Sequence, residues 1–455
     1  MFRKHWANTL GSVFLLGLAV AALGWWRAPR ASLRAPQTGL LPHQDIVITF
    51  SAPMQPSGIT ERLVLRPEHP VSLRWADART LLVHPRSPWP AGERLTVGIG
   101  QGAPAAVWPS LPTLETALWQ VEISPPPLLS LWPENGAPTQ LYRLHLDDGS
   151  SEQLTEEPFG LTGYTVTADG LDVYYASVEG DIYHLARRTG ESTLLVDCGG
   201  DVCANPQVSP DGTYLAYERT PVSGPPQEAL PHVWYLRLES GVPAPLPLDG
   251  SSRQPLWSSA NHLCVYRPEQ AEFTAWNPFT GENVSWSNQT GEGGVWLPDG
   301  SAFISPEITL LPNGYLLPTG GFLDLPSSHL IRYPLDGTAP QDLSEDPAVE
   351  DASPAVSPDG RYLAFARKSL RPDSWTPGRQ VWLLDFSTGE YRPLTASPLY
   401  NHTAFAWSPD GSRLAYLRSN RNDFSQPTEI WLDDLSAEEP PVRLLIGGYA
   451  PRWIP

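Results

Sequence analysis

The sequence predicts an all-β chain: a seven-bladed β-propeller, preceded by a β-sandwich and, ahead of that, a transmembrane helix. Three observations carry the prediction. A Ser-Pro-Asp-Gly phrase followed by an apolar strand recurs through the last two-thirds of the 455 residues, short runs of alternating polarity fill the stretch before it, and an uncharged apolar run opens the chain. The expected boundaries are residues 1–34 for anchor and linker, 35–124 for the sandwich and 125–455 for the propeller.

The first element runs from Trp6 to Trp26. It carries no charge, and at about 1.5 Å per residue it matches the ~30 Å of a bilayer core. Trp25-Trp26 followed by Arg27 suits a membrane interface. Ala19-Val20-Ala21 offers the competing reading, a cleaved signal peptide, but it falls inside the apolar run rather than after it. Arg3 and Lys4 flank one side and Arg27, Arg30 and Arg34 the other, so charge leaves the orientation open.

The second element is the set of short strands at Ile46–Ser51, Arg62–Leu65, Leu81–Pro85 and Leu95–Ile99, separated by turn formers such as Pro90-Ala91-Gly92. Strands this short and this closely spaced suggest a sandwich. The phrases Ile48-Thr49-Phe50-Ser51-Ala52-Pro53-Met54 and Trp89-Pro90-Ala91-Gly92-Glu93-Arg94-Leu95-Thr96-Val97 resemble bacterial Ig-like domains. That resemblance implies a spacer or docking module of a surface or envelope protein. Pro125-Pro126-Pro127 then forms a stiff junction.

The third element rests on Ser209-Pro210-Asp211-Gly212 before Leu215-Ala216-Tyr217, Ser357-Pro358-Asp359-Gly360 before Leu363-Ala364-Phe365, and Ser408-Pro409-Asp410-Gly411 before Leu414-Ala415-Tyr416. Proline presets φ, Asp bonds the backbone ahead of it, and Gly takes the positive φ of a tight turn, so each phrase joins two antiparallel strands. A second pair of strands follows, as in Gln380–Asp385 and the segment ending at Thr395. Four strands per repeat, A to D, make a propeller blade. First strands are expected near Thr162, Ala204, Gln254, Gly294, Ser353, Thr403 and Ala450. The segment at Ala450 stops at the turn proline, and Leu128–Trp132 lacks a first strand before it, so the two are expected to share one blade.

These turns, the Leu-Ala-Tyr or Leu-Ala-Phe strands after them, and the strands bearing Val381-Trp382 and Ile430-Trp431 resemble the TolB-type propeller repeat over about residues 125–455. The resemblance implies an extracytoplasmic protein that presents a face to a partner. TolB itself has six blades and a different N-terminal domain, so only fold and compartment carry over.

Composition agrees: 51 Pro oppose long helices, and 18 Trp with 16 Tyr supply large apolar faces. A net charge of −19 opposes nucleic-acid binding. Cys198 and Cys203, separated by Gly199-Gly200-Asp201-Val202, suit either a small disulfide loop or two free thiols. Cys264 alternates like a buried strand residue. No metal, cofactor or catalysis is expected. There is no Gly-x-Ser-x-Gly elbow, the histidines fall at scattered blade positions, and the carboxylates Glu345, Asp346, Glu350 and Asp351 lack calcium-loop spacing.

In an antiparallel blade the B-to-C and D-to-A connections share one end. The B-to-C connections are long, at Thr220–Pro231, Glu307–Ser328, Ser369–Arg379 and Ser419–Thr428. Loops on a rigid scaffold carry binding, which nominates Leu310, Tyr315, Phe322, Trp375 and Phe424 as binding residues. The apolar stretch from Glu307 to Ser328 either folds down over the propeller core or stands out toward a partner. The expectation is a single-pass cell-membrane protein, its bulk extracytoplasmic, that binds or scaffolds another envelope or cell-surface protein. The alternative is a propeller enzyme or small-ligand binder working at the channel mouth.

Overall fold

The computed structural model describes residues 28–454 apart from 35–38, 41–43, 87–88, 91, 109, 147–148, 225–228, 317–321 and 438. The anchor expected over Trp6 to Trp26 lies outside the described residues. Among those described, no helix is long and apolar enough to cross a membrane. The chain divides into two compact units, residues 1–126 and 127–455.

The N-terminal unit holds two antiparallel sheets. One contains Ala31–Leu33, Ile46–Phe50, Val71–Asp77 and Thr80–Pro85, the other Leu63–Arg66, Arg94–Ile99 and Ala117–Glu122. Period-two alternation turns Ile46, Ile48 and Phe50 inward to meet Leu95, Val97 and Val121 in one shared core. Ala31–Leu33 belongs to the first sheet, Ala31 pairing with Phe50; it is not part of a linker reaching residue 34. A three-residue edge strand suffices to pair the outer main-chain groups of Ile48–Phe50, and it is too short to show alternation.

Among the described residues, the C-terminal unit contains seven four-stranded antiparallel sheets in series. Counted from the sheet holding Leu128–Trp132, their innermost strands are Tyr449–Trp453, Leu161–Val166, Val202–Val208, Arg253–Trp257, Val295–Trp296, Val349–Val356 and Tyr400–Trp407. The first sheet takes its innermost strand from the far end of the sequence: Tyr449 pairs with Leu131 and Trp453 with Leu128.

The strand after each turn explains how the sheets stack. Leu215 and Tyr217 face the second sheet and Ala216 the fourth; likewise Leu363 and Phe365 face the fifth and Ala364 the seventh. A small residue on the forward face leaves room for the next sheet's Trp257 or Trp407. The last interface joins Ala415 and Ile430 of the seventh sheet to Leu128, Leu144 and Trp453 of the first, which closes the ring of a propeller.

Four of these interfaces also carry a repeated hydrogen bond. The indole N–H of Trp257, Trp296, Trp407 and Trp453 donates across to a carbonyl on the preceding innermost strand, that of Gln207, Leu256, Ala355 and Ala406, at 2.9–3.2 Å. The turn serine is equally regular. Buried Ser209 Oγ sits 2.6 Å from Asp211 Oδ1 and accepts the N–H of Tyr214 at 2.9 Å, and Ser357 and Ser408 repeat this geometry. Gly212, Gly360 and Gly411 take φ of +68°, +73° and +70°, which a side chain would resist.

Candidate functional site

The B-to-C end of the propeller is built on a layer of arginines. Arg219, Arg267, Arg367 and Arg418 each stand opposite the first residue of the next strand, namely His232, Glu272, Gln380 and Glu429. Three of them lie over the tryptophan two positions further along that strand, at 4.9 Å for Arg219 on Trp234, 5.4 Å for Arg367 on Trp382 and 4.5 Å for Arg418 on Trp431. Each also has a carboxylate: Asp201 at 2.8 Å, Glu272 at 2.7 Å, Asp351 at 2.6 Å and Glu429 at 3.9 Å, respectively. Sequence reasoning missed this layer, although its signal was present. Arginine falls two residues after Tyr217, Val265, Phe365 and Tyr416 in every case.

Basic residues at the same end hold three of the four carboxylates of the acidic patch. Asp351 is held by both Arg367 Nε and Nη2, Glu350 pairs with Arg379 and Lys368, and Asp346 takes a fork from Arg371 at 2.7 and 2.9 Å. These carboxylates anchor strands and loops. Burial pushes the Asp351 carboxyl above its ordinary range, against the pull of Arg367, whereas the Arg371 hydrogen bonds hold Asp346 below it.

The stretch from Glu307 to Ser328, expected as a loop, is a β-hairpin. Strands Ala302–Leu316 and Phe322–Pro334 stay paired from Ala302 opposite Pro334 out to Leu316 opposite Phe322, with a register shift between Leu311 and Tyr315. The two continue the second and third strands of the fifth sheet into an arm of roughly 20 Å, counted along the partner strand from Phe322 to Ser328 at ~3.3 Å per residue. Ile308 is 49% exposed and Leu310 56%, so this part of the arm stands out and does not fold down over the propeller core. Its base is tied to the sixth sheet by the hydroxyls of Ser327 and Ser328, which donate to the carbonyls of Val349 and Asp351. Tyr315 and Phe322 occupy the far end of the arm, and their side chains lie outside what is described.

The neighbouring connections place the other nominated residues at the same end. Trp375 is exposed in the sixth-sheet connection, which Arg371 clamps to Asp346. Phe424 is exposed in the seventh, with the Arg421 guanidinium 5.4 Å from its ring and Asp423 accepting from the N–H of Ser425. Leu310, Trp375 and Phe424 thus stand on three consecutive sheets. Elsewhere in this unit, Cys198 and Cys203 are disulfide-bonded with Cα atoms 6.3 Å apart, and Cys264 is a buried free thiol.

No family model matches the chain, and no curated protein matches it in sequence. Solved structures do resemble it. TolB from Acinetobacter baumannii is 14% identical, covers 87% of this chain and 83% of its own, and has a TM-score of 0.44. The β-propeller domain of the Trilobed protease from Pyrococcus furiosus is 12% identical over 78% of this chain and 93% of its own, at a TM-score of 0.46. A prolyl endopeptidase is 12% identical over 85% of this chain and 50% of its own, at a TM-score of 0.50. The ring of four-stranded sheets makes the fold a β-propeller. At these identities the likeness concerns fold alone.

Proposed function

We propose that this chain is a membrane-tethered, extracytoplasmic interaction module. A seven-bladed propeller, preceded by an Ig-like spacer, presents the fifth-sheet hairpin and its two neighbouring connections to another envelope or cell-surface protein. The observation that carries this reading is the hairpin itself: a paired, tethered arm that keeps Ile308 and Leu310 in water. Apolar side chains held out on an ordered arm are unfavourable unless something covers them. Two features support the compartment. The Cys198–Cys203 disulfide suits an oxidising environment, and the uncharged run from Trp6 to Trp26 is long enough to span a bilayer.

The test shortens the arm without disturbing the sheet. Thr309 lies opposite Ser327, so an Asn-Gly turn can join them in place of residues 310–326. Capture and crosslinking from native membranes should yield a protein with the intact chain that is missing with the shortened one, at an unchanged melting temperature. Leu310→Arg should weaken the same contact at least tenfold. Equal recovery by both forms would remove the hairpin from the proposal.

A further inference from the structure

The innermost strands of the propeller share a kinked device. In five of them the register shifts at a non-glycine residue with positive φ: Asn205, Gln254, Ser353, Ala404 and Ala450, at 50–55°. None is β-branched, as the left-handed region requires, and all but Ala404 precede proline. Bulges of this kind re-aim the residues that follow. In the first sheet the residue two positions past the bulge is Arg452, where the equivalent positions hold Gln207, Leu256, Ala355 and Ala406.

Arg452 differs from every arginine of the B-to-C layer. Its Nη1 donates to Thr165 Oγ1 at 3.0 Å, and its guanidinium lies 6.0 Å from the Tyr164 ring. The Tyr164 hydroxyl is already spent on the Ala450 carbonyl at 2.7 Å. Among the described residues no carboxylate comes within 4.0 Å of Arg452, in a chain with 49 acidic residues against 30 basic ones. Withdrawal from bulk water pulls its pKa below the usual guanidinium value. Arg452 is half-buried, and its guanidinium has five donors to satisfy.

Arg452 lines a cavity of about 260 Å³ together with Tyr164, Asn205, Gln207 and Tyr449. The Gln207 side chain makes no hydrogen bond among the described residues. Glu218 lies behind Asn205, with one oxygen accepting from Asn205 Nδ2 at 2.8 Å and from the Gln254 N–H at 2.7 Å. At ~30 Å³ per water, the cavity holds an acid of a few heavy atoms or the last residue of a peptide.

We propose that Arg452 and Gln207 form a carboxylate-binding site inside the propeller channel. The guanidinium takes the carboxylate through paired N–H groups, the geometry that favours arginine for this task, and the Gln207 amide completes its hydrogen bonding. The site stands apart from the hairpin and does not depend on it.

Calorimetric titration of the full chain in detergent tests this with three probes: succinate, the peptide acetyl-Ala-Ala-Leu with a free carboxylate, and the same peptide amidated. Saturable binding of succinate or the free-acid peptide is expected, with the amide at least tenfold weaker than its acid. Succinate alone binding identifies a small organic acid; the free-acid peptide alone identifies a chain terminus. Arg452→Gln should weaken the bound probe at least tenfold and Arg452→Lys at least threefold, while neither lowers the melting temperature of the free protein. Failure of every probe to bind the wild type, equal binding by acid and amide peptides with no succinate binding, or unchanged affinity in Arg452→Lys would overturn the proposal. So would a large loss of stability in both variants, since Arg452 would then be a structural tie to Thr165.

Discussion

Arg367→Met destabilises the chain by about 3–5 kcal/mol, the range for removing one partner of a buried ion pair. Asp351 is fully buried and receives both Arg367 Nε and Nη2, at 2.7 and 2.6 Å. Methionine fills much of the same volume, so packing against Phe365, Trp382 and Tyr391 is largely kept and the loss reports the stranded carboxylate. The Ser344 carbonyl, which accepts from Arg367 Nη2, loses a donor as well. Adding Asp351→Leu should recover part of the loss, because an apolar pair of similar size can replace an ion pair. Recovery stays incomplete, since the Ser344 hydroxyl keeps the Leu330 N–H but loses Asp351 Oδ2 as the acceptor for its own proton. Urea denaturation followed by tryptophan emission measures both. A single-variant loss under 1 kcal/mol would show that this arginine layer does not hold the B-to-C end together.

That layer also marks the limit of what could be read from residues alone. The turn phrase and the Leu-Ala-Tyr strands were legible because their chemistry is local: a proline, an aspartate and a glycine specify a turn wherever they occur together. Arg219, Arg367 and Arg418 were not, because a charged residue near a strand end ordinarily reads as surface. Their burial is decided by Trp234, Trp382 and Trp431 on the adjacent strand and by acids many residues away. Glu307 to Ser328 reads as a long B-to-C connection with Pro312, Asn313 and Gly314 inside it, yet strand pairing runs through that stretch by way of a register shift. Its exposure could not be read either, since Leu310 is as apolar as any core residue and only the fold determines whether something packs on it. Arg452 was passed over for a related reason. Its setting, on the innermost strand that closes the ring, is a property of the assembled propeller.

His402 gives the chain an acid-sensitive element, and its replacement by glutamine flattens the response. The ring is buried, with Nδ1 2.8 Å from the Arg379 carbonyl and its plane edge-on to Tyr416 at 5.5 Å. Burial is the main force on its pKa, opposed by the hydrogen bond to Arg379 and reinforced by the charge of Arg418, and together they bring it down to about 4. The unfolded chain therefore binds this proton more readily than the folded one between pH 6.5 and about 4. Stability from this residue is fully present above pH 6.5 and falls as pH drops through that window, by about 3 kcal/mol at pH 4. His262, also lowered by burial, acts in the same direction, whereas Asp351 and Asp433, raised by burial, act against it. The informative quantity is therefore the difference between wild type and His402→Gln. Glutamine can keep a donor toward the Arg379 carbonyl and cannot titrate. Urea midpoints at pH 7, 6, 5 and 4 should diverge progressively, with the variant losing less at each step. Parallel curves would mean that the ring takes up its proton in the fold as easily as in the unfolded chain, through a movement of the Arg379–His402 contact that opens it to water.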